Sequence, residues 1–201
     1  SIWTSDAANV GVPFTGGFGG TLTADVVNYV RGDQSLEEKY FDPVTNPAAA
    51  FRNRSKILGD IVNSDPLFVA KDNFNLSAIP AYADSYTEFV KNKSTNGVIY
   101  VGANDGMLHA FDAKTGVEKF AFVPRAIHDS LAELTSTSYN ANHKYFVDGA
   151  PGFGDAYWGA SWHTVLVGTL GAGGKSVFAL DITDPDSPMD AGKVLWEFDG
   201  G

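Results

Sequence analysis

The side chains that could carry out chemistry are scattered through this chain. Its four histidines lie at positions 109, 128, 143 and 163, without the His-Glu-x-x-His spacing of zinc hydrolases. The absence of cysteine excludes disulfides, thiolate metal sites and cysteine nucleophiles. Ser161 lies in Gly-Ala-Ser-Trp-His, which lacks the Gly-x-Ser-x-Gly elbow of serine hydrolases. We therefore predict no catalytic, cofactor-binding or metal-binding residues, and we expect each histidine to be solvated or locally hydrogen-bonded.

One acidic stretch invites comparison with a calcium loop. Such a loop needs oxygen ligands at alternate positions, a glycine at its sharp turn and a later carboxylate. Asp181, Asp184, Asp186 and Asp190 supply oxygens, but two prolines interrupt the pattern and the glycine is missing. An acidic hairpin turn is the preferred interpretation, and calcium the alternative.

Two other short motifs have both a binding and a structural interpretation. Arg31-Gly32-Asp33 is the integrin-recognition tripeptide, yet Gly32 is also placed to end a helix. The glycine-rich residues 168–176 depart from the phosphate-loop spacing and join two predicted strands, so they indicate a hairpin. We retain the tripeptide as a receptor-binding hypothesis and predict no phosphate site.

A group of aromatic residues has the same ambiguity. Tyr157, Trp158 and Trp162 could form a platform for a carbohydrate or a quinone. Aromatic side chains more often fill the core between sheets, and we expect two of these three to be buried.

Composition limits the class of protein that must position these residues. The chain has 201 residues, 44% of them hydrophobic, with 22 glycines and 9 prolines, which favours short strands and tight turns. Its formal charge of −10 disfavours nucleic-acid binding. No apolar run approaches the ~18 residues that cross a bilayer. We predict a mainly β protein with no nucleic-acid partner and no membrane span.

The order of predicted elements follows from hydrophobic periodicity and turn residues. The glycine-rich residues 1–20 receive no element, and a short helix is predicted at 23–33 with Thr23 as N-cap. Residues 55–71 indicate a strand, a bend and a strand, and the helical patterns at 82–92 and 125–136 are insertions between strand groups. Further strands are predicted at 97–103, 107–113, 117–123, 152–159, 163–169, 175–182 and 193–198.

The strand pattern repeats once within the chain. Three sets correspond: Ile99–Gly102 with Val165–Gly168; Ala110 and Asp112 with Ala179 and Asp181; Gly116 and Phe120 with Gly192 and Trp196. Insertions fall in the turns, as expected for repeated β units, because an extra residue within a strand would reverse its faces. Each unit counts four strands, the size of a propeller blade.

This repeat predicts an incomplete β-propeller, with about two four-stranded blades and short inserted helices. Residues 1–54 form a lead-in with one short helix, and residues 55–201 form the first blades. Because propellers typically close with about 4 to 8 blades, we expect the ring to continue beyond this chain.

One spacing in the first unit resembles a known repeat. Ala-x-Asp-x-x-Thr-Gly-x-x-x-aromatic, with Ala110, Asp112, Thr115, Gly116 and Phe120, is similar to the quinoprotein-type propeller motif. The resemblance implies that the last aromatic docks between blades. Phenylalanine at 120 departs from the usual tryptophan, which Trp196 supplies in the second unit.

A longer resemblance covers most of the chain. It rests on five ordered stretches: VVNYVRGDQSLE, FRNRSKILGDIVNSDP, GVIYVGANDGMLHAFDAKTG, HKYFVDGAPGFGDAYW and WHTVLVGTLGAGGKSVFALDITDP. Together they resemble the start of the C-terminal, quinoprotein-like propeller domain of the PilC/PilY family of type IV pilus tip-associated adhesins and assembly factors.

That resemblance implies a non-enzymatic protein of the cell surface or pilus tip, with the outer membrane or periplasm as alternative locations. Its implied roles are pilus assembly by opposing retraction, adhesion and surface sensing. The implied partners are minor pilins or the pilus tip, a host or surface receptor, and the remaining propeller blades. No cofactor is implied in this segment, while the family leaves calcium open for the full-length protein. The alternative is a fragment of a quinone (PQQ)-dependent dehydrogenase, which shares the repeat.

Overall fold

The computed structural model describes residues 1–200, and ten strands in two sheets form its frame. The strands are β1 (Ile2–Ser5), β2 (Gly11–Pro13), β3 (Leu67–Val69), β4 (Val98–Ala103), β5 (Met107–Asp112), β6 (Glu118–Val123), β7 (Gly152–Trp158), β8 (Ser161–Thr169), β9 (Ser176–Asp181) and β10 (Val194–Asp199). The α-helices are α1 (Ala24–Val30) and α2 (Ala83–Asn92). Short 3₁₀ helices span Glu38–Tyr40, Leu76–Ala78, Pro80–Tyr82, Arg125–Thr135, Tyr139–Ala141, Gly171–Gly173 and Ala191–Lys193.

Each sheet contains one four-stranded antiparallel meander. Strands β3, β4, β5 and β6 pair in succession, and so do β7, β8, β9 and β10. We call these meanders blade 1 and blade 2. The prediction of a mainly β fold with two four-stranded units and inserted helices is confirmed, and both sheets are open rather than closed into a ring.

The start of the chain differs from the prediction. Residues 1–20, to which the sequence assigns no element, contribute β1 and β2. Strand β1 pairs in parallel with β6, with Trp3 opposite Phe122, and β2 pairs with β1. This pairing depends on a strand more than 100 residues away, so local pattern does not reveal it. The first sheet therefore draws strands from both sides of the predicted boundary at residue 54, and that boundary remains a prediction.

The stretch at 55–71 also differs from the prediction. Only β3 forms there, and residues 57–62 belong to no strand. This part of the chain bonds instead to the turn between β4 and β5. The Gly59 N–H donates to the Asp105 carboxylate at 2.7 Å, and the Asn104 N–H donates to the Asp60 carbonyl at 3.0 Å.

The predicted helices are present. Thr23 caps α1 by accepting from the Val26 N–H. The helix ends in a Schellman motif, because Asp33 N–H bonds to the Asn28 carbonyl and Gly32 has a φ of 107°. The pattern at 125–136 forms a 3₁₀ helix that buries three apolar side chains, namely Ile127, Leu131 and Leu134.

The two blades share one hydrophobic core. Phe122 on β6 and Phe178 on β9 are both fully buried, and their ring centroids are 5.0 Å apart. Gly168 lies under the Phe178 ring, where a Cβ would overlap it, and a Cβ at Gly102 would meet the Val147 carbonyl. Close approach at these two glycines is what lets the strands pack against their neighbours.

Candidate functional site

The alanine and the aromatic residue of each repeat lie on the third and fourth strands of their blade, and they pair with each other in the same register in both blades. Ala110 lies opposite Phe120, and Ala179 lies opposite Trp196. In both blades the register shifts at the next position, which marks a β-bulge at the same point of the unit.

The pairing between the second and third strands differs between the blades. If the two repeats are aligned on the third strand, the second strand of blade 2 is shifted by one residue relative to that of blade 1. Ala110 pairs with Tyr100, whereas Ala179 pairs with Val167. The segments at 99–102 and 165–168 therefore lie on the second strand of their blades, shifted by one residue relative to the third strand. Gly102 and Gly168 are both buried there.

The two corner turns are built differently. In blade 1, the Asp112 carboxylate accepts from the Thr115 N–H and hydroxyl, each at 2.8 Å, and these bonds lower the pKa of Asp112. Gly116 follows with a φ of 72°. In blade 2, the Asp181 carboxylate accepts from the Thr183 N–H at 2.9 Å, and Gly192 lies eleven residues after Asp181 in a 3₁₀ turn.

The predicted docking of the repeat aromatics between blades stays a prediction, and Phe120 packs against the shared core and lines a small pocket with residues of the β9–β10 connection of blade 2. Phe120 is half-buried, 6.2 Å from the Tyr100 ring, and Trp196 is 41% exposed on β10. The prediction that two of the three aromatics at 157, 158 and 162 are buried is wrong. Only Trp162 is buried, because it packs under α2, where its indole N–H donates to Ser85.

Arg31-Gly32-Asp33 lies at the end of α1 rather than on a loop tip. The Arg31 guanidinium donates to the Phe14 carbonyl at 2.7 Å, and the Asp33 carboxylate accepts from the Ser35 N–H at 2.8 Å. The latter bond lowers the pKa of Asp33. Receptor recognition by this tripeptide remains a hypothesis.

The acidic residues at 181–190 have separate partners. Asp186 accepts from Ser94 and Asn96, Asp184 from the backbone that follows it, and Asp190 from the Gly192 N–H. Within residues 1–200, no group of three or more His, Cys, Asp or Glu side chains converges as a metal site would require.

One arrangement on blade 2 was not predicted. The Ser161 hydroxyl is 2.8 Å from Nε2 of His163, and Nδ1 of His163 is 2.7 Å from the Asp181 carboxylate. This is the order of a Ser-His-Asp relay. Positions 161 and 163 share a face of β8, and Asp181 lies opposite Val165 on that same face, so the strand register would have revealed it. The Trp158 ring stacks on His163 at 3.7 Å, and the relay lies on an exposed sheet face.

His109 on β5 lies between two carboxylates. Its Nδ1 is 2.6 Å from Glu118, and its Nε2 is 3.1 Å from both oxygens of Asp105. Burial acts to lower the pKa of His109, but the hydrogen bonds and charges of Asp105 and Glu118 outweigh burial and raise the pKa to about 9. His109 is therefore a buried cation at neutral pH. His128, which bonds to Thr4 at 2.8 Å, has its pKa lowered to about 4 by burial.

Two buried acidic residues attach blade 2 to the rest of the chain. Asp155 on β7 pairs with Lys93 at 2.7 Å and also accepts from Tyr86 and Thr164. The burial of Tyr86 and its bond to Asp155 raise the pKa of Tyr86 to about 12. Sequence analysis missed this ion pair because an isolated charge next to aromatic residues is also typical of a strand's solvent face.

Glu197 on β10 is the second of these acidic residues, and it is 4% exposed. Its carboxylate accepts from the Ser5 hydroxyl at 2.6 Å and from the backbone N–H groups of Arg125 and Ala126, each at 2.9 Å. It thus joins β1, the segment after β6, and blade 2.

Two antiparallel four-stranded meanders with a repeated bulge and a shared core are consecutive blades of a β-propeller. The chain belongs to the PilY1 β-propeller domain family, whose model matches residues 58–200.

Curated relatives of this chain carry matching names. The chain is 42% identical over 183 residues to a type IV pilus biogenesis factor PilY1 of Pseudomonas aeruginosa, covering 89% of this chain and 14% of that protein. It is 46% identical over 181 residues to a PilY1 homolog of Xylella fastidiosa, covering 88% of this chain and 14% of that protein. The solved C-terminal domain of Pseudomonas aeruginosa PilY1 is 41% identical, with a TM-score of 0.49 over 66% of this chain and 25% of that one. The chain thus spans a small part of its relatives.

Proposed function

We propose that this chain is part of a non-enzymatic, type IV pilus tip-associated protein that supports pilus assembly by opposing retraction and contributes to adhesion and surface sensing. The observation that carries the proposal is the family match over residues 58–200, together with relatives named as pilus biogenesis factors. The proposed location is the cell surface or pilus tip, with the outer membrane or periplasm as the alternative. Among residues 1–200, no helix is long and apolar enough to cross a membrane.

The described contacts support a scaffold rather than a catalyst. The four histidines, the acidic turn residues and Ser161 all bond within the chain. Apolar side chains are exposed on strands at sheet edges, with Phe68 on β3 at 58% and Phe198 on β10 at 66%. Edges of this kind suit the remaining propeller blades, and minor pilins or the pilus tip and a surface receptor are the other proposed partners.

Pilus counts test the assembly role directly. We expect deletion of the gene for the full-length protein to remove surface pili in a strain that retracts its pili, and to leave pili in a strain that cannot. The first result follows from a role in assembly and the second from opposition to retraction. Unchanged piliation in the retracting strain would contradict the proposal.

The quinone-dependent dehydrogenase remains the alternative function, and calcium remains open for the full-length protein. The two classes separate when the full-length protein is supplied with the quinone and calcium and assayed for dye-linked alcohol oxidation. We expect no turnover, and turnover would replace the adhesin proposal.

The receptor hypothesis for Arg31, Gly32 and Asp33 has its own test. If the tripeptide is recognised, Asp33→Glu weakens adhesion to purified integrin. Equal adhesion by the two proteins would leave the tripeptide with its structural role at the end of α1 alone.

A further inference from the structure

Blade 2 has a face that is turned away from blade 1. Alternate residues of a strand share a face, and so do residues that pair across antiparallel strands. Phe178 faces blade 1, because its ring contacts Phe122. Residues of blade 2 in the alternate positions face away from blade 1, and the apolar ones among them, which we call the outer face, are Val165, Val167, Val177, Ala179, Trp196 and Phe198. Trp196 and Phe198 are 41% and 66% exposed, so this face presents apolar surface to solvent.

Blade 1 uses its corresponding face to contact blade 2. The repeat residues Ala110 and Phe120 share a face with Phe122. Phe122 packs on Phe178 of blade 2, and Phe120 lines a small pocket with residues of the β9–β10 connection. In blade 2 the same repeat positions lie on the outer face. The outer face therefore corresponds to the face of blade 1 that the next blade along the chain already covers.

A polar contact accompanies this apolar one. The Ser94 hydroxyl donates to the Asp186 carboxylate at 2.9 Å, and the side-chain amide of Asn96 donates to the same carboxylate at 2.8 Å. Residues 94–96 lead into β4, the second strand of blade 1, and Asp186 follows β9, the third strand of blade 2. The approach to the second strand of one blade is thus bonded to the loop after the third strand of the next.

Blade 2 has hydrogen-bonding side chains at the corresponding positions. In each blade the repeat aspartate lies opposite a valine of the second strand. Two residues before that valine lies Asn96 in blade 1 and His163 in blade 2. Four residues before it, both blades have a serine, Ser94 and Ser161. Ser161 is exposed and His163 is 22% exposed, so both can reach a group on an adjoining blade.

We propose that the outer face of blade 2 binds the following blade of the full-length protein, and that Ser161 and His163 hold a carboxylate from the loop after that blade's third strand. The Ser161 hydroxyl donates to the carboxylate. His163 keeps its contact with Asp181 through Nδ1 and, when protonated, donates to the Ser161 oxygen through Nε2. This inference rests on the proposed partnership with the remaining blades but not on the role in pilus assembly, so pilus counts and the experiments below can fail separately.

Hydroxyl-radical footprinting of the full-length protein tests the apolar contact. Phe198 and Phe41 are 66% and 57% exposed in this chain, so two open surfaces would protect them equally. We expect modification of Phe198 to be about tenfold slower than in the urea-unfolded protein, and that of Phe41 to fall much less, because a covering blade excludes water. A fall at Phe198 no larger than that at Phe41 would overturn the proposal. Protection that is lost on dilution would assign the face to a second copy of the protein and would also overturn it.

Zero-length carbodiimide cross-linking of the full-length protein tests the polar contact. Ser161→Lys places an amine where the carboxylate is expected, and Ser94→Lys is the matched control beside Asp186. We expect the control to be linked to Asp186, and Ser161→Lys to be linked to an Asp or Glu in the loop after the third strand of the following blade. A link to Asp181 alone, or none while the control reacts, would overturn this contact. Footprinting needs no variant, so it decides the apolar contact even if Ser161→Lys does not fold.

Discussion

Blades 1 and 2 are attached to their surroundings by different kinds of contact. The outer strand of blade 1, β6, is covered by β1, and β2 extends the same sheet. The interior of blade 1 is apolar, with Leu108, Ala110 and Phe122 fully buried. Blade 1 is thus held by added strands and hydrophobic packing.

Blade 2 has no added strand within residues 1–200, and both of its edge strands carry a buried acidic residue. Asp155 on β7 bonds to Lys93 after α2, and Glu197 on β10 bonds to Ser5 and to the backbone after β6. Buried polar contacts of this kind cost desolvation and have strict geometry. The comparison teaches that hydrophobic packing builds the blades and joins them at Phe122 and Phe178, whereas buried charged contacts at both edges of blade 2 add geometric constraints on its position.

The largest expected effect comes from breaking the Lys93–Asp155 pair. Both side chains are almost fully buried, at 4% and 0% exposed. Lys93→Met leaves the Asp155 carboxylate without its cation, and we expect the free energy of unfolding in urea to fall by about 3–5 kcal/mol.

Lys91→Met is the matched control for this variant. Its ion pair with Glu88 lies two residues away along the chain and is 72% and 60% exposed. We expect less than about 1 kcal/mol of change there. Similar losses for the two variants would contradict the distinction between the blades.

The next effect concerns His109, which is buried on β5 of blade 1 between the carboxylates of Asp105 and Glu118. The pKa of His109 is raised from 6.5 to about 9 in the folded protein, so its contribution to stability is complete below pH 6.5 and is lost as pH rises through 9. The contribution is on the order of 3 kcal/mol.

Urea titrations at pH 6 and pH 9.5 measure this dependence. We expect the wild-type protein to lose stability between these values, and His109→Gln to lose much less. An equal pH dependence in the two proteins would show that Asp105 and Glu118 do not stabilise a charged imidazole.

Much of the fold could be predicted because its signals are local or repeated. The helix α1 follows from Thr23 and Gly32, and the strands of both blades follow from apolar runs between turn residues. Both blades have a β-bulge next to the repeat aromatic, Phe120 or Trp196. This agrees with the equal glycine-to-aromatic spacing that the sequence shows in the two repeats.

The remaining features depend on long-range partners that a single sequence does not identify. Strand β1 forms because β6 offers an edge, and residues 57–62 stay out of the sheet because they bond to the β4–β5 turn. The pairing of Lys93 with Asp155 joins residues 62 apart. No periodicity encodes such contacts, so the attachment of blade 2 could not be predicted.

A smaller effect on stability tests the packing of Phe178 in the hydrophobic core that the two blades share. A Cβ at Gly168 would overlap the ring of Phe178, so we expect Gly168→Ala to lower the free energy of unfolding by about 1–3 kcal/mol. Gly152→Ala on β7 is the control, because no atom lies within 4 Å of its Cβ position. Thermal or urea unfolding distinguishes them, and equal stability of the two variants would contradict the close packing of Phe178.

The smallest expected effect concerns the relay of Ser161, His163 and Asp181. A serine hydrolase also needs donors aimed at the developing oxyanion and a site that excludes water. Here the His163 and Asp181 side chains are 22% and 18% exposed, Ser161 is exposed, and Trp158 covers a face of the imidazole. This arrangement links β8 to β9 as a cross-strand contact of blade 2. We therefore expect Ser161→Ala to cost about 0.5–1 kcal/mol of stability.

We also expect a fluorophosphonate probe to label the wild-type protein no more than the Ser161→Ala variant. Labelling that disappears in Ser161→Ala and in His163→Gln would show an activated serine, and blade 2 would then differ from blade 1 in chemistry as well as in attachment.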